Sequence, residues 1–298
     1  MAGFVAWLTG FRVRRVAFTV GLFLLPVTSV LSAAIVVLTA NLKGSAEAAK
    51  DVALAFVGLA LMMVLSDADS MPLSFLISAL VSWSIAAVLG GVNYRYRSFT
   101  LVVQLAVLLV LAGMLIFMAV VGDTAAFWQQ VINKMIDDLP ADLMVQLTAE
   151  FLAQGIDVEQ VVLLVSQVMT PMVAAALLSS SLIAVLIGSV WASAVRSESF
   201  AESYRSLKLG YVIGGFAALL GIASLFGFAA ASGMLMVVSM AFLLQGIAVL
   251  SCWAEYKHWP GAWWAAVILP LMFMPIMPVP AAVMGFALAA LGFIDNWY

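Results

Sequence analysis

Long runs of uncharged, mostly apolar residues make up most of the sequence. A helix needs about 20 apolar residues to cross the roughly 30 Å hydrocarbon core of a bilayer, and most of these runs are long enough. They are continuous, without the alternation of polar and apolar positions that marks a barrel strand, so they predict membrane-spanning helices. The runs are Val16–Leu42, Val52–Ser66, Ser70–Tyr94, Ser98–Gly122, Gln160–Val195, Leu209–Ala254 and Trp259–Ile294.

The first, the longest and the last of these runs have internal breaks. Pro26 interrupts the first, and proline removes a backbone donor and kinks a helix, so this run is either one bent span or two shorter pieces. The run Leu209–Ala254 is long enough for two spans joined at Gly227–Gly233. We therefore predict an all-α polytopic transmembrane bundle in one domain, 1–298, with about seven to nine membrane-embedded segments. The last run is broken in the same way by Pro270, Pro275, Pro278 and Pro280.

The composition limits the chemistry that the protein can perform. Of its 298 residues 66% are hydrophobic and 9% are charged, against roughly 45–50% and about 25% in a soluble domain. A soluble enzyme or a nucleic-acid binder is therefore not expected. One cysteine, Cys252, and one histidine, His258, exclude a disulfide framework within the chain and a multi-histidine metal centre. We predict a protein that is not an enzyme and needs no cofactor or metal.

The charges indicate how the predicted spans are oriented in the membrane. Segment 123–159 is strongly acidic and has one base, Lys134, so the positive-inside rule places it outside the cell. The cluster Arg12–Arg15 then lies inside only if the first run enters the membrane and returns near Pro26. We favour this hinge because it places every base but Lys134 inside. The length of the apolar run after Arg15 argues against a cleaved signal peptide.

Segment 123–159 is predicted to be an extracytoplasmic insertion of two amphipathic helices. Apolar residues from Phe127 to Leu139 recur at three- and four-residue spacing, and the pattern resumes from Leu143 until Gly155 after the break at Pro140. The first interpretation is a cap lying at the outer membrane surface. The alternatives are a lid over an outward-facing pocket and a platform for an extracytoplasmic protein partner.

Polar residues within the apolar runs are the candidate ligand contacts. No acidic or basic residue lies deep within a predicted span, which argues against coupling through an intramembrane carboxylate. For each polar residue the alternative is a hydrogen bond between packed helices. Gly210 and Gly214 are predicted to be helix-packing positions, either within one chain or between two. The predicted pocket residues, for an uncharged or weakly polar ligand, are Trp83, Asn93, Tyr94, Gln104, Ser180 and Gln245.

Short motifs near both ends of the chain resemble one family. They are Arg15-Val-Ala-Phe, Leu24-Leu-Pro, Ser29-Val-Leu-Ser-Ala-Ala and Asn41-Leu-Lys-Gly near the start, and Gly292-Phe-Ile-Asp-Asn-Trp near the end. In these motifs the chain resembles the YybS-like (DUF2232) family of bacterial polytopic membrane proteins. The resemblance implies a fold similar to the substrate-binding membrane subunits of energy-coupling-factor transporters, and hence a role in capturing a small ligand.

Three functions are consistent with these features. The leading hypothesis is binding or translocation of a small, largely uncharged ligand in the lipid bilayer, with a membrane protein partner that supplies energy. The alternative is a non-catalytic scaffold that organises cell-envelope machinery through its outer helices. A membrane enzyme acting on lipid is a third, through Glu255, Tyr256 and His258 at the inner boundary. No nucleic-acid partner is expected.

Overall fold

The computed structural model describes residues 2–25, 28–65, 73–140, 157–272 and 278–297, and every regular element in these ranges is a helix. The helical class predicted from the sequence is therefore confirmed over this part of the chain. The helices are α1 (Ala2–Gly10), α2 (Arg12–Phe23), α3 (Ser29–Lys43), α4 (Ser45–Leu65), α5 (Leu73–Tyr96), α6 (Phe99–Val121), α7 (Thr124–Asp137), α8 (Val158–Arg196), α9 (Phe200–Arg205), α10 (Gly210–Leu225), α11 (Ala229–Tyr256), α12 (Trp263–Met272) and α13 (Pro278–Asp295).

Five of these helices are long and apolar enough to cross a membrane: α4, α5, α6, α8 and α11. Shorter apolar helices, α3, α10 and α13, pack beside them. This set of helices is that of a multi-pass membrane protein. The predicted total of about seven to nine embedded segments stays a prediction, because it depends on how the shorter helices sit in the bilayer.

The first apolar run folds as two helices that pack against each other. α2 ends at Phe23 and α3 begins at Ser29, and the hydroxyl of Ser32 donates to the carbonyl of Thr19 at 2.6 Å. Pro26 lies outside the described residues, so its role as the hinge stays a prediction. The last run likewise contains two helices, α12 and α13, although Pro270 lies within α12.

α3 is the central helix of the bundle. It packs against α2, α4, α5 and α8, and its residues from Ser32 to Asn41 are all buried. Glycines on two neighbours allow this close packing. A Cβ at Gly188 would lie 2.7 Å from the carbonyl oxygen of Ala34, and a Cβ at Gly90 would lie 2.7 Å from Cβ of Ala40. Small residues therefore bring α5 and α8 into backbone contact with α3.

α11 and α13 form a second close crossing. A Cβ at Gly246 would lie 1.9 Å from the carbonyl oxygen of Leu288, and one at Gly292 would lie 2.1 Å from that of Phe242. The predicted packing position Gly214 makes a looser contact within the chain, because its Cβ would meet the Trp297 ring at 3.6 Å.

Gly210, predicted from its spacing to be a helix-packing position, forms the first residue of α10 in a left-handed backbone conformation. Its φ of +81° is a backbone conformation that side chains with a Cβ rarely adopt, and it begins α10. Its backbone N–H donates to the side-chain oxygen of Asn296 at 2.7 Å. The chain end is thereby attached to the start of α10.

The bundle has one basic end and one end that carries α7. Arg196 closes α8 and donates to the carbonyl of Asn41 on α3, whereas Trp128 of α7 donates to Thr170 of α8 at 2.8 Å. At about 1.5 Å per residue, positions 170 and 196 on one helix lie roughly 40 Å apart. Contacts place Arg12, Arg15, Lys43, Arg97, Arg205 and Lys208 at the Arg196 end. The remaining bases apart from Lys134 are close in sequence to residues in these contacts: Arg14, Lys50, Arg95 and Lys257.

α7 is the first of the two predicted amphipathic helices. Asp123 caps it, with its carboxylate accepting from the N–H of Ala126 at 3.0 Å, and no residue of α7 is fully buried. The helix therefore lies on the bundle surface. The second predicted helix, between Leu143 and Gly155, lies outside the described residues.

The α11–α13 crossing gives a direct test of the packing. Gly246→Ala should lower the free energy of unfolding in detergent by about 2–3 kcal/mol, because the added methyl group overlaps the backbone of α13. Gly215→Ala is the matched control, since a Cβ there meets nothing within 4 Å. Equal thermal stability of the two purified variants would contradict the close crossing.

Candidate functional site: a polar cavity at the basic end

A buried ion pair holds the first four helices together at the basic end of the bundle. Arg15 on α2 contacts both carboxylate oxygens of Asp51 on α4, at 2.6 and 3.2 Å, and both side chains are almost completely buried. Arg15 also donates to the carbonyl of Thr9 at 3.0 Å, and Lys43 donates to the same oxygen at 2.9 Å. The ends of α1 and α3 are thereby joined to the pair.

A cavity of about 360 Å³ opens at the basic end where α3, α5, α8 and α9 meet. Each of these helices contributes at least one polar or aromatic side chain to its wall. Its lining consists of Asn41, Asn93, Arg97, Phe99, Ser189, Ala192, Ser193, Arg196, Glu198, Ser199, Phe200 and Ser203.

Three amide and hydroxyl side chains form the floor of this cavity. Asn93 on α5 donates to the side-chain oxygen of Asn41 at 3.1 Å and to the Ser189 hydroxyl at 3.4 Å. Asn41 donates in turn to Ser189 at 3.2 Å. The three residues come from three different helices, so the cavity floor is also a polar contact between α3, α5 and α8.

Two arginines and one glutamate form the mouth of the cavity. The Nη1 atoms of Arg97 and Arg196 lie 3.7 and 3.9 Å, respectively, from the same carboxylate oxygen of Glu198. Arg196 is held in place because its Nη2 atom donates a hydrogen bond to the carbonyl of Asn41. These three side chains leave the mouth with a net charge of about +1 at neutral pH.

The chain enters and leaves this mouth in a rare backbone conformation. Arg97 follows the last residue of α5 with φ of 51°, and Ser197 follows α8 with φ of 57°. Side chains with a Cβ seldom occupy this left-handed region, and residues held there concentrate at functional sites. In this protein the two turns bring Arg97 and Glu198 to the same opening, where their side chains lie 3.7 Å apart.

The short helix α9 covers one side of the cavity and is fastened to α11. Burial raises the pKa of the Tyr204 hydroxyl, so it stays protonated and donates to the carbonyl of Leu244 at 3.3 Å. Arg205 forms an ion pair with Glu255 at the end of α11. Glu255, the acidic member of the suggested lipid-enzyme group, is therefore engaged in joining two helices.

Of the six ligand contacts predicted from the sequence, Asn93 lines the cavity and Tyr94 lines a neighbouring one. The second cavity, of about 590 Å³, is more open and is also lined by Lys43, Arg95 and Arg97. Arg97 is thus shared by both cavities.

The other predicted contacts lie elsewhere. The indole of Trp83 is completely buried and donates to the Ser32 hydroxyl at 2.8 Å, as a link between α5 and α3. Ser180 donates to the carbonyl of Leu177 within its own helix at 3.0 Å. Trp83 thus makes the hydrogen bond between packed helices that the sequence left open as the alternative, whereas the bond of Ser180 stays within one helix.

Gln104 and Gln245 belong to a network around the start of α10. Gln245 accepts from the N–H of Leu209 at 3.1 Å and donates to Asp295 at 2.9 Å. Gln104 donates to the carbonyl of Leu209 at 2.9 Å, and Asn296 also reaches Gln245, at 3.4 Å. The network satisfies backbone groups of a helix start inside the bundle, which is a structural task.

Asn93 is the one residue of the cavity lining that was predicted from the sequence as a ligand contact. The residues of the floor and the mouth that were missed are Asn41, Arg97, Ser189, Arg196 and Glu198. Asn41 is the one side-chain amide in α3, among apolar and hydroxyl-containing residues. A lone amide in such a helix is the feature of the sequence that could have identified it as a candidate ligand contact. Ser189 is one of several serines in α8 and has no distinguishing feature in the sequence.

Within the described residues, no group of three or more His, Cys, Asp or Glu side chains is placed to hold a metal ion. Comparisons with protein-family models, with curated proteins and with solved structures give no match. The resemblance to the YybS-like family therefore remains an expectation from the sequence motifs.

The buried ion pair leads to a stability prediction. Asp51→Ala should lower the free energy of unfolding by about 3–5 kcal/mol, because it leaves the Arg15 guanidinium buried without its counter-ion. Lys50→Gln disrupts only the exposed pair with Glu47 and should cost less than about 1 kcal/mol. Unfolding of both variants in detergent measures the difference, and an equal loss would show that the buried pair has no special role.

Proposed function

We propose that this multi-pass protein resides in a bacterial inner membrane and binds a small, largely uncharged ligand in the cavity at its basic end. The observation that supports the proposal is the meeting of Asn41, Asn93 and Ser189 from three helices at the floor of one cavity. Ligand pockets are commonly concave, mostly apolar sites of about 300–1,000 Å³ with a few convergent polar groups. This cavity has the volume and the convergent polar groups, and its lining is more polar than is usual.

The floor suits hydroxyl and amide groups of a ligand. Each asparagine side chain carries two donors and an acceptor, and a serine hydroxyl can both donate and accept. The floor residues now bond to one another, so a ligand would exchange those bonds for its own without leaving a polar atom unpaired. A ligand with neutral polar groups therefore fits the site better than a hydrocarbon.

The proposed orientation follows from the charges. The positive-inside rule places the end with the arginines in the cytoplasm, so the cavity opens on that side and α7 lies on the outer face. α9 contributes Phe200 and Ser203 to the cavity wall, and a partner protein that moved α9 would open or close the site. This gives the proposed energising partner a place to act.

A scaffold is the second candidate, and α7 is the feature that favours it. This amphipathic helix has no fully buried residue, and its far side is available to an extracytoplasmic protein. A scaffold needs no ligand in the basic-end cavity, so ligand binding distinguishes the two proposals.

If the cavity binds a ligand, we expect the thermal stabilisation by that ligand to depend on Asn93. In a screen of neutral polar metabolites by thermal unfolding in detergent, a compound that stabilises the wild-type protein should bind Asn93→Ala about tenfold more weakly, since one or two hydrogen bonds are lost.

Ser180→Ala is the matched control, because Ser180 bonds only within α8 and lies away from the cavity lining. An equal loss of binding in both variants, or no stabilising compound together with a co-purifying envelope protein, would favour the scaffold.

A further inference from the structure

We infer that the ligand carries one anionic group, a phosphate or a carboxylate, and that Arg97 and Arg196 bind this group at the mouth of the cavity. This inference rests on the proposed function and names the chemistry of the ligand. It refines the expectation of a largely uncharged ligand to a molecule with neutral polar groups and a single negative charge.

The mouth of the cavity has more positive than negative side chains. Two guanidinium groups share one carboxylate, and both contacts, at 3.7 and 3.9 Å, are longer than the roughly 2.7–2.9 Å of a charge-assisted hydrogen bond. Glu198 therefore neutralises half of the positive charge and saturates neither arginine. A bound monoanion would bring the three side chains and the ligand to neutrality.

The two guanidinium groups at the mouth are positioned to contact one anion. Arg196 is immobilised by its bond to the carbonyl of Asn41, so one guanidinium is already oriented towards the cavity. Arg97 is half exposed and lies 3.7 Å from the same Glu198 oxygen that Arg196 approaches, so both guanidinium groups are close enough to contact one anion. Guanidinium groups present paired N–H donors that match the spacing of oxygens in carboxylate and phosphate, which makes them the usual partners of these groups.

The proposed anion site lies directly beside the polar floor of the cavity, because both involve Asn41. Arg196 bonds to the backbone of Asn41, and the side chain of Asn41 bonds to Asn93 and Ser189. One residue thus connects the charged mouth with the neutral floor. A single small molecule would place its anionic group between the arginines and its hydroxyl or amide groups on the floor.

Two sources supply such a molecule: a soluble metabolite and the headgroup of an anionic phospholipid. Phosphatidylglycerol has both features, since its phosphate carries one charge and its headgroup glycerol carries hydroxyls. Inorganic phosphate and glycerol 3-phosphate are the soluble probes, used at about pH 5.5, below their second pKa of about 6 or higher, so that each carries mainly one negative charge.

The test measures thermal unfolding of the purified full chain in an uncharged detergent, with sodium phosphate or glycerol 3-phosphate compared with sodium chloride at equal ionic strength. The wild-type protein should show a saturable stabilisation. Arg97→Gln should weaken the apparent affinity about tenfold or more, because a charge-assisted contact is lost. Lys50→Gln, the control with the same change of charge at an exposed site, should bind as the wild type does.

Glu198→Gln provides a second and opposite readout. Removing the internal carboxylate frees both arginines, so this variant should bind the anion more tightly, by roughly three- to tenfold, whereas a purely structural role for Glu198 predicts weaker binding or none. The opposite signs of the Arg97 and Glu198 effects cannot come from a general loss of stability.

A lipid arm distinguishes the two sources. In nanodiscs of phosphatidylcholine with and without one-fifth phosphatidylglycerol, stabilisation by the anionic lipid that is lost in Arg97→Gln, and to which added glycerol 3-phosphate contributes nothing further, identifies a lipid headgroup. Stabilisation by glycerol 3-phosphate in pure phosphatidylcholine identifies a soluble ligand.

No stabilisation by phosphate, glycerol 3-phosphate or phosphatidylglycerol would overturn the inference. If a neutral ligand still bound through Asn93, the proposed function would stand without it, whereas the loss of both effects would overturn both.

Discussion

The structure depends on one constraint: hydrocarbon offers no hydrogen-bond partner, so polar groups within the apolar helices must find partners in the protein. α3 shows how the chain meets it. Ser32 bonds to Thr19 and Trp83, and Asn41 bonds to Ser189 and Asn93, so side chains of the central helix are satisfied by its neighbours. These bonds require close helix packing.

Glycines allow the close packing of the helices. The same close packing determines which polar side chains reach the cavity. Gly90 and Gly188 bring α5 and α8 against α3, and this approach places Asn93 and Ser189 within bonding distance of Asn41. At the basic end, α5 and α8 give way to their connecting segments, and residues of these segments line the cavity together with the floor residues. The polar floor and the structural core are thus one continuous set of contacts.

The sequence predicts the helices well because apolar runs and capping residues are local features. The run Gln160–Val195 became α8 within a few residues, and the carboxylate of Asp157 caps it as its position indicates, accepting from the N–H of Glu159 at 3.1 Å. The turn after α10 falls at Gly227, with φ of +84°, and is shorter than the predicted Gly227–Gly233, because Gly233 is already helical.

The site is less predictable because it depends on which helix faces meet. Trp83 and Asn93 lie on the same helix, yet one is a core contact and the other lines a cavity, and no local pattern separates them. Gly246 and Gly292 become close-packed only through the pairing of α11 with α13, which is a long-range contact. Polar residues in spans identify candidates, and three-dimensional packing selects among them.

The central claim is that a membrane-spanning bundle presents its basic end, with the cavity, on one side and α7 on the other. Labelling of single cysteines with a membrane-impermeant thiol reagent tests it directly, using Ser45→Cys and Asp138→Cys in a Cys252→Ser background. Both positions are exposed, one at the basic end and one beside α7. The account predicts that Asp138→Cys is labelled in intact cells with the outer membrane permeabilised, and Ser45→Cys only after the inner membrane is opened. Labelling of both from the same side would contradict it.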